Sequence, residues 1–243
     1  MRRFFIPADS IRKERARIGG TDFHHLVHVL RKSSGDTIDA VDGWGNFLKI
    51  RIDKVEAGAA EGTILERIPA TERKISVTLY QAIPRQGIFD DIVEKAVELG
   101  VRRIVPLVTA RSTVRFDDER GEKKLARWRR IADETIKRVG RADSVEILPV
   151  IALPAAHECL IEGSLKLAAW EMEQDVTLKS ILHEENNLSA AEVLIGPEGG
   201  LSEEEIWILK EMGFRTVSLG KRILRVETAA VSVLSNIFYE LDL

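Results

Sequence analysis

One stretch of the sequence, VLIGPEGGLSEEEI (193–206), places a glycine-rich turn and four carboxylates between an apolar run and a helical segment. Glycine-rich turns before a helix commonly cradle a phosphate or a nucleotide. This turn lacks the Lys-Ser/Thr of a P-loop and the G-x-G-x-x-G spacing of a dinucleotide site. Ser202 and Glu205 form a capping box, and the glutamates at 203–205 occupy the positive end of the helix, where with Glu198 they would repel phosphate. The pattern therefore disfavours a phosphate cradle.

The same turn suits a flat ligand that approaches the main chain closely. Pro197 fixes its own φ and pushes Gly196 toward an extended conformation. Gly199 and Gly200 allow positive φ and leave room beside the backbone. An adenine or ribose held by main-chain groups fits such a turn, in a cofactor that bears little negative charge. S-adenosylmethionine, which has a sulfonium cation and no phosphate, meets this description.

A second segment, TVSLGKRILRVETAA (216–230), has the same order of parts: a strand, a glycine at its end, a loop and then a helix. In an open α/β sheet, ligands bind just beyond the carboxyl ends of the strands. If the two strands are neighbours, the two loops form the walls of one pocket. Trp170, in the segment LKLAAWE, marks a third loop, although a tryptophan at a strand end is as often plain packing.

The elements that must position these loops change character along the chain. The first seventy or so residues show short alternating strands and one short helix, which is typical of a small β-barrel-like module. A break follows at IPATERK (68–74). Strands and helices then alternate, which predicts an α/β domain with a mostly parallel sheet and helices on both faces. The predicted strands are 75–83, 102–108, 145–150, 165–171, 191–196 and 216–220, and the predicted helices are 87–100, 123–139, 177–185, 202–213 and 226–241.

Composition excludes some classes of protein and leaves others open. The chain has 243 residues, a formal net charge of −3 and a single cysteine, Cys159, so it can form no internal disulfide, which fits a reducing cytoplasm. No apolar run reaches the length of a membrane span, and the N-terminus lacks the features of a signal peptide. Residues 102–141 hold 13 basic against 6 acidic side chains, which suits either a nucleic-acid-binding face or a solvated helix.

Two further features are each open to more than one reading. The last helix (226–241) is apolar on one face and partly round the side, which predicts either a subunit interface or deep burial. His24, His25 and His28 invite a metal site, but no H-E-x-x-H glutamate accompanies them. RNA contact or helix packing is the interpretation we favour for these histidines.

Taken together, LIGPEGGLSEEE and LGKRILRVETAA closely resemble the paired C-terminal motifs of the RsmE family. HHLVHVLRKSSGD (24–36) resembles the RNA-binding module of that family, and EKAVELGVRRIVPLVTARS (94–112) resembles its Lys-Ala-x-Glu-Leu-Gly-Val segment. The resemblance spans nearly the whole chain. It implies a SPOUT-class enzyme that uses S-adenosylmethionine to methylate N3 of a uridine in 16S rRNA of the small ribosomal subunit.

The chain departs from the family pattern at three places. Lys137–Arg141 reads KRVGR where Glu-Gln-Ser-x-Arg is common, Lys221 stands in place of a proline, and Val226 replaces a common threonine. The first departure falls in a segment expected to face the substrate. It therefore bears on target positioning more than on cofactor binding.

The resemblance also implies an architecture. It predicts a PUA-like β-barrel domain over residues 1–70 and a SPOUT methyltransferase domain over 71–243, in which a Rossmann-like parallel sheet ends in a C-terminal trefoil knot. It implies a cytoplasmic homodimer that associates through the SPOUT domain. The cofactor would be held by Trp170, Leu194, Ile195, Gly196, Pro197, Glu198, Gly199, Gly200, Leu219, Gly220, Ile223, Leu224 and Arg225.

Methylation of N3 requires that the imide proton be removed or that the ring anion be stabilised. We expect Arg225 to stabilise the anion and Glu227 or Glu198 to position or deprotonate the base. The alternative is that Arg225 and Glu227 form an ion pair that organises the knot. Our candidates for RNA contact are basic, and they would otherwise serve solubility or pair with acidic side chains: Arg31, Arg111, Arg138 and Arg141.

Two other functions stay open from the sequence. One is a non-catalytic RNA-binding or ribosome-assembly protein that has kept the fold, although RNA binding alone would not require both C-terminal motifs. The other is a SPOUT enzyme that acts on another RNA or another base atom.

Overall fold

The computed structural model describes residues 3–70, 74–85, 87–112, 118–185 and 188–241. Its contacts divide the chain into two units, Met1–Glu72 with Asp133–Ser144, and Arg73–Ala132 with Val145–Leu243. Residues 71–73 of the predicted break at IPATERK lie outside the described residues. A division at 70/71 stays a prediction.

The first unit is built on a six-stranded sheet. Along the sheet the strands run in the order β1-β4-β5-β6-β3-β2. The pairs are antiparallel except for β1 with β4, which is parallel. β1 and β2, at the two ends of this order, are not paired with each other among the described residues, so closure of a barrel stays a prediction. The strands are β1 (Phe4–Phe5), β2 (Ile11–Arg12), β3 (Arg15–Gly19), β4 (Thr37–Val41), β5 (Asn46–Glu56) and β6 (Ala59–Pro69).

Alternation of apolar residues explains the core of this unit. In β5, Leu48, Ile50 and Ile52 are buried while the residues between them face outward, as the two-residue period of a strand requires. Helix α1 (Gly20–His24) continues into one π-type turn at His25–Val29, which buries Leu26 in the same cluster. The three histidines pack on rings: His25 on Phe4, His28 on Phe23, and His24 on His28.

The second unit is built on a parallel sheet, as the alternation of strands and helices predicts. Its main path runs β10-β8-β7-β12-β11-β13, with β9 also paired to β8, and all of these pairs are parallel. The strands are β7 (Ser76–Ala82), β8 (Arg103–Val108), β9 (Glu146–Ile147), β10 (Ile151–Ala152), β11 (Leu165–Ala169), β12 (Ala190–Ile195) and β13 (Arg215–Val217).

Helices follow these strands in the positions expected from sequence. They are α2 (Ile88–Leu99), α3 (Asp118–Val139), α4 (Leu178–Glu184), α5 (Glu203–Glu211) and α6 (Val226–Leu241). The predicted capping box is present, since Ser202 Oγ accepts from the Glu205 amide at 3.2 Å and the Ser202 amide donates to Glu205 at 2.9 Å. No helix in the described ranges is long and apolar enough to cross a bilayer.

The last helix buries much of its apolar surface inside its own unit. Val233, Leu234 and Ile237 are fully buried, and α6 packs against α2, α4 and β12. Tyr239, near its end, keeps 70% of its surface exposed. A subunit interface on this helix therefore concerns only its remaining exposed side, and it stays a prediction.

Candidate functional site

A cavity of about 670 Å³ lies at the carboxyl ends of the parallel strands in the second unit. Its walls come from the segments that follow β7, β11, β12 and β13. β7 and β12 are neighbours, and the chain order reverses between them, which is where α/β sheets bind ligands. The two glycine loops predicted to share a pocket, 196–200 and 218–225, face each other across this cavity.

Most of the predicted pocket residues lie in this wall. Leu194 differs: it is fully buried in a core cluster and does not line the cavity. Nine lining residues lie outside the predicted set: Arg85, Ile88, Ala169, Glu171, Ser218, Lys221, Arg222, Val226 and Ala229. The predicted residues in the wall are Trp170, Ile195, Gly196, Pro197, Glu198, Gly199, Gly200, Leu219, Gly220, Ile223, Leu224, Arg225 and Glu227.

The glycine turn after β12 is tight. The Gly200 amide donates to the Pro197 carbonyl at 2.9 Å, and Gly200 has a φ of 70°, a left-handed conformation that favours glycine. A Cβ at Gly200 would collide with the carboxylate of Glu171. Of the two glycines that allow positive φ, only Gly200 adopts it.

The electrostatics of the wall differ from the expectation based on four glutamates. Glu203 and Glu204 are exposed outside the cavity wall, and Glu205 is buried in the capping box, so only Glu198 of the four lines the cavity. The wall as a whole is mixed in charge. Its acidic members are Glu171, Glu198 and Glu227, and its basic members are Arg85, Lys221, Arg222 and Arg225. Repulsion of phosphate by the glutamate run is therefore a weaker argument than it was from sequence.

Glu198, one of the candidate catalytic carboxylates, has a definite partner. Its Oε1 accepts a hydrogen bond from the Arg85 amide at 2.8 Å, which ties the glycine turn to the segment after β7. Arg225 and Glu227 both line the cavity, at the start of α6, and no ion pair joins them in the part of the chain that the structure describes. Both side chains can therefore face a ligand.

Two buried polar atoms lie at or near this wall without a partner among the described residues. They are the indole Nε1 of Trp170, whose residue lines the cavity, and Oε1 of Gln81. Gln81 is fully buried at the end of β7, and its Nε2 donates to the Ala82 carbonyl at 2.8 Å. Buried polar groups are normally satisfied, so the Trp170 donor is a reason to expect a polar ligand here.

The four arginines predicted to contact RNA lie in different surroundings. Arg111 donates from Nη1 to the Gly199 carbonyl at 2.6 Å, so it contacts the glycine turn after β12. Arg141 pairs with Asp143 through two bonds, of 2.5 and 2.9 Å, and its side chain is only 7% exposed. Arg31 and Arg138 are exposed. Only Arg111 belongs to the second unit, and the other three belong to the first.

The segment that departs from the family pattern, Lys137–Arg141, ends helix α3. Gly140 has a φ of 72° and its amide donates to the Ile136 carbonyl at 2.9 Å, as a glycine at a helix C-terminus does. Lys137 pairs with Asp22 at 2.8 Å. Part of this departure is therefore accounted for by helix termination and an ion pair within the first unit.

A second cavity of about 430 Å³ adjoins the first. It lies between α4 and α6, and the two cavities share Ser218, Leu219 and Gly220 as walls. Tyr239 lines its outer edge. The loop after β13 thus separates two concave surfaces.

Comparison with known proteins gives a consistent answer. The RNA methyltransferase domain family matches residues 71–238, and the RNA methyltransferase PUA domain family matches residues 18–65. The ribosomal RNA small subunit methyltransferase E of Bacillus subtilis is 30% identical over 255 residues, which covers 100% of this chain and 98% of that protein.

Solved structures agree over the full length. The ribosomal RNA small subunit methyltransferase E from Neisseria gonorrhoeae, solved bound to S-adenosyl methionine, superposes with a TM-score of 0.85 at 31% identity, covering 98% of this chain and 97% of that one. A methyltransferase from Legionella pneumophila, in complex with the same cofactor, superposes with a TM-score of 0.78 at 26% identity, covering 98% and 96%. The chain therefore belongs to the RNA methyltransferase family of the ribosomal RNA small subunit methyltransferases E.

Proposed function

We propose that this protein transfers the methyl group of S-adenosylmethionine to N3 of a uridine in 16S rRNA. The observation that carries the proposal is the convergence of the two motif loops and the Trp170 loop on one cavity at the strand ends. Relatives at 31% and 26% identity bind the same cofactor. The N3 position and the 16S target follow from the resemblance to the RsmE family.

The residues of the cavity fit this cofactor. Its size lies within the range of small-molecule sites. Gly196, Gly199 and Gly200 line the cavity without side chains, so a flat ring can approach the main chain there. Trp170 Nε1 supplies a buried donor that has no partner among the described residues. Glu171, Glu198 and Glu227 give the wall carboxylates that can face a cation. When bound, the cofactor supplies the electrophilic methyl group.

The chain's own residues would handle the charge and the proton at the uracil ring. As N3 attacks the methyl carbon, the bond from that carbon to sulfur breaks, and the imide proton passes to a base. We assign stabilisation of the ring anion to Arg225 and proton acceptance or base positioning to Glu227. Glu198 is the alternative for the second task, although its bond to the Arg85 amide already uses one of its oxygens.

Replacement of Arg225 tests the catalytic assignment. We expect Arg225→Ala to lower the rate of methyl transfer by about 10²-fold or more at saturating cofactor, the range seen when one donor to a developing oxyanion is removed. Single-turnover methylation of rRNA with labelled cofactor measures this rate. A wild-type rate in Arg225→Ala would contradict the assignment, and Arg222→Ala, which changes the neighbouring wall arginine, is the matched control.

RNA binding is assigned to the first unit. Arg31, Arg138 and Arg141 are our candidates for phosphate contacts, with Arg31 and Arg138 favoured because they are exposed and the Arg141 side chain is covered. If each arginine contacts one phosphate, the slope of log affinity against log salt concentration should become less steep by about one for each arginine removed. An unchanged slope in Arg31→Ala and Arg138→Ala would leave the assignment unsupported.

The finer architecture belongs to the same proposal. We propose that the loops after β12 and β13 form a trefoil knot, that the domains divide at 70/71, and that two copies associate in the cytoplasm through the exposed side of α6. Ile223, at the cavity mouth, is 88% exposed, and Tyr239 is 70% exposed. Covering these two side chains is a reason for a second copy to bind on this side.

Two measurements test the function itself. Titration calorimetry with S-adenosylmethionine distinguishes an enzyme from an RNA-binding protein that has lost activity, which would show no heat of binding. Mass spectrometry of nucleosides from 16S rRNA of cells with and without the gene then tests the target. Loss of N3-methyluridine in the deletion supports the proposal, whereas an unchanged level would reassign the enzyme to another RNA or base atom.

A further inference from the structure

The turn that follows β8 is rigid and carries Arg111. Thr109 and Ser112 close it, since the Ser112 amide donates to the Thr109 carbonyl at 3.0 Å and the Thr109 amide donates to Ser112 Oγ at 3.1 Å. The two hydroxyls are 2.9 Å apart. Such side-chain bonds to nearby main chain hold a turn in one conformation. We call residues Thr109–Ser112 the arginine turn.

One buried carboxylate joins the arginine turn to the start of α5. Glu205 Oε1 accepts from the Ala110 amide at 2.7 Å, while its Oε2 accepts from the Ser202 amide at 2.9 Å. Only 7% of Glu205 is exposed. A carboxylate that accepts two main-chain hydrogen bonds in a covered position fixes both of the segments that donate to it. The capping box therefore does more than cap the N-terminus of α5.

Arg111 makes a second link, directly to the glycine turn. Its Nη1 donates to the Gly199 carbonyl at 2.6 Å. Its aliphatic stem lies against the same residue: a Cβ built on Gly199 would stand 3.3 Å from Arg111 Cβ and 3.4 Å from Cδ. This accounts for a glycine at position 199, where φ is not positive, because any side chain there would press on the arginine stem.

We propose that Arg111 and Glu205 are positioning residues that hold the glycine turn in the shape that admits the cofactor. Arg111 then acts on cofactor binding, and not as the RNA phosphate contact that its charge suggests. The Arg85 amide, after β7, also donates to Glu198 of this turn. The glycine turn is therefore held by the segments that follow two neighbouring strands, β7 and β8. The inference rests on the proposed function only in naming S-adenosylmethionine as the ligand.

Cofactor affinity in the absence of RNA separates the two roles of Arg111. We expect Arg111→Ala to bind S-adenosylmethionine about tenfold more weakly, the order expected for loss of one hydrogen bond from a charged group. Arg111→Lys, which keeps the charge and most of the stem, should recover part of the affinity. Arg12→Ala, which removes an exposed arginine of the other unit, is the matched control and should bind like wild type.

A second readout needs no cofactor. Hydrogen exchange of the amides in residues 196–201 should be faster in Arg111→Ala and in Glu205→Gln than in wild type or Arg12→Ala, because the turn loses a restraint. Melting temperatures of all four proteins show whether any effect is global unfolding. This readout still decides the inference if wild-type protein fails to bind S-adenosylmethionine, an outcome that would overturn the proposed function alone.

The opposite results are equally clear. If Arg111→Ala binds the cofactor with wild-type affinity and its amides at 196–201 exchange at the wild-type rate, the positioning role is overturned. A decrease of about one in the salt slope of RNA affinity, in that case, would assign Arg111 to a phosphate instead.

Discussion

Adjacent glycines in the turn after β12 are required for different physical reasons. Gly200 has a φ of 70°, which a residue with a Cβ adopts at a cost, whereas Gly199 has ordinary φ and is confined by the stem of Arg111. The carboxylate of Glu171 also lies over Gly200, but as the end of a flexible side chain it can move. Glycine is therefore required at position 200 mainly by backbone conformation and at position 199 mainly by contact with the Arg111 side chain.

This difference predicts how double substitutions behave. Gly200→Ala should destabilise the folded protein by about 1–2 kcal/mol through the left-handed backbone, and adding Glu171→Ala should recover little of that loss. By contrast, the cost of Gly199→Ala should fall when Arg111→Ala is added, because the contact disappears. Denaturant unfolding of the single and double variants measures both couplings. Recovery of Gly200→Ala by Glu171→Ala would show that the carboxylate, not the backbone, sets the requirement.

A buried hydrogen-bond network around Glu192 of β12 predicts how the stability of the fold depends on pH. Glu192 is fully buried and accepts from the Tyr80 hydroxyl at 2.7 Å and from Ser164 Oγ at 2.6 Å. Burial, and next the hydrogen bond to Glu192, raise the pKa of Tyr80 well above its usual range. A group whose pKa is raised by folding contributes stability that is complete below its unfolded pKa, about 10 for tyrosine, and is lost as pH rises.

Tyrosinate absorbance tests this directly, since the chain has 2 tyrosines, Tyr80 and Tyr239. In a Tyr239→Phe variant only Tyr80 remains. We expect its tyrosinate absorbance to appear in the same alkaline transition in which the circular dichroism of the fold is lost. Ionisation at a lower pH, with the fold intact, would show that Tyr80 is accessible and that its hydroxyl is not held by Glu192.

At the scale of elements, periodicity predicts most of the second unit. The strand predicted at 75–83 is found at Ser76–Ala82, and the helix predicted at 202–213 is found at Glu203–Glu211. Of the strand predicted at 145–150 only Glu146–Ile147 forms, and a second short strand, Ile151–Ala152, follows it. Pro149, between them, has no amide to donate to a neighbouring strand, and this interrupts the pairing.

The candidate site divides in the same way between local and long-range features. Its loops could be predicted because glycine, proline and capping residues act on the main chain within a few positions. The bonds from Arg85 to Glu198 and from Arg111 to Gly199 join residues 113 and 88 positions apart. Nothing in local sequence shows which strand ends meet, so the task of Arg111 was not predictable from its charge.

The capping residues of α5 and α4 provide a comparison between two helices. Ser202 caps α5 beside the cavity, and Thr177 caps α4, where its side chain accepts from the Ser180 amide at 3.1 Å. Either change to alanine should cost about 1 kcal/mol of unfolding free energy. Ser202→Ala should also weaken cofactor binding, because the Glu205 amide would lose Ser202 Oγ as its acceptor and the carboxylate that binds the arginine turn would be less well fixed, whereas Thr177→Ala should not. Equal cofactor affinities in the two variants would show that the Ser202 cap does not contribute to cofactor binding.

For the whole molecule, the position of exposed apolar residues leads to a prediction about assembly. Ile223 is 88% exposed at the cavity mouth, and Trp207, on α5, is 65% exposed away from the cavity wall. If two copies associate beside the loop after β13, burial of Ile223 stabilises the pair, and a charge at that position opposes it. Ile223→Glu should then shift the protein toward monomer, whereas Trp207→Glu, the matched control, should not.

Sedimentation equilibrium over a range of concentrations measures this shift. We expect wild type and Trp207→Glu to sediment as dimers at concentrations where Ile223→Glu is largely monomeric. Because Ile223 lines the cavity, the affinity of wild type for S-adenosylmethionine should also rise with protein concentration if the second copy helps to close the cavity. A wild-type protein that sediments as a monomer throughout would contradict the proposed homodimer, and a dimer that tolerates Ile223→Glu would place the interface elsewhere on the molecule.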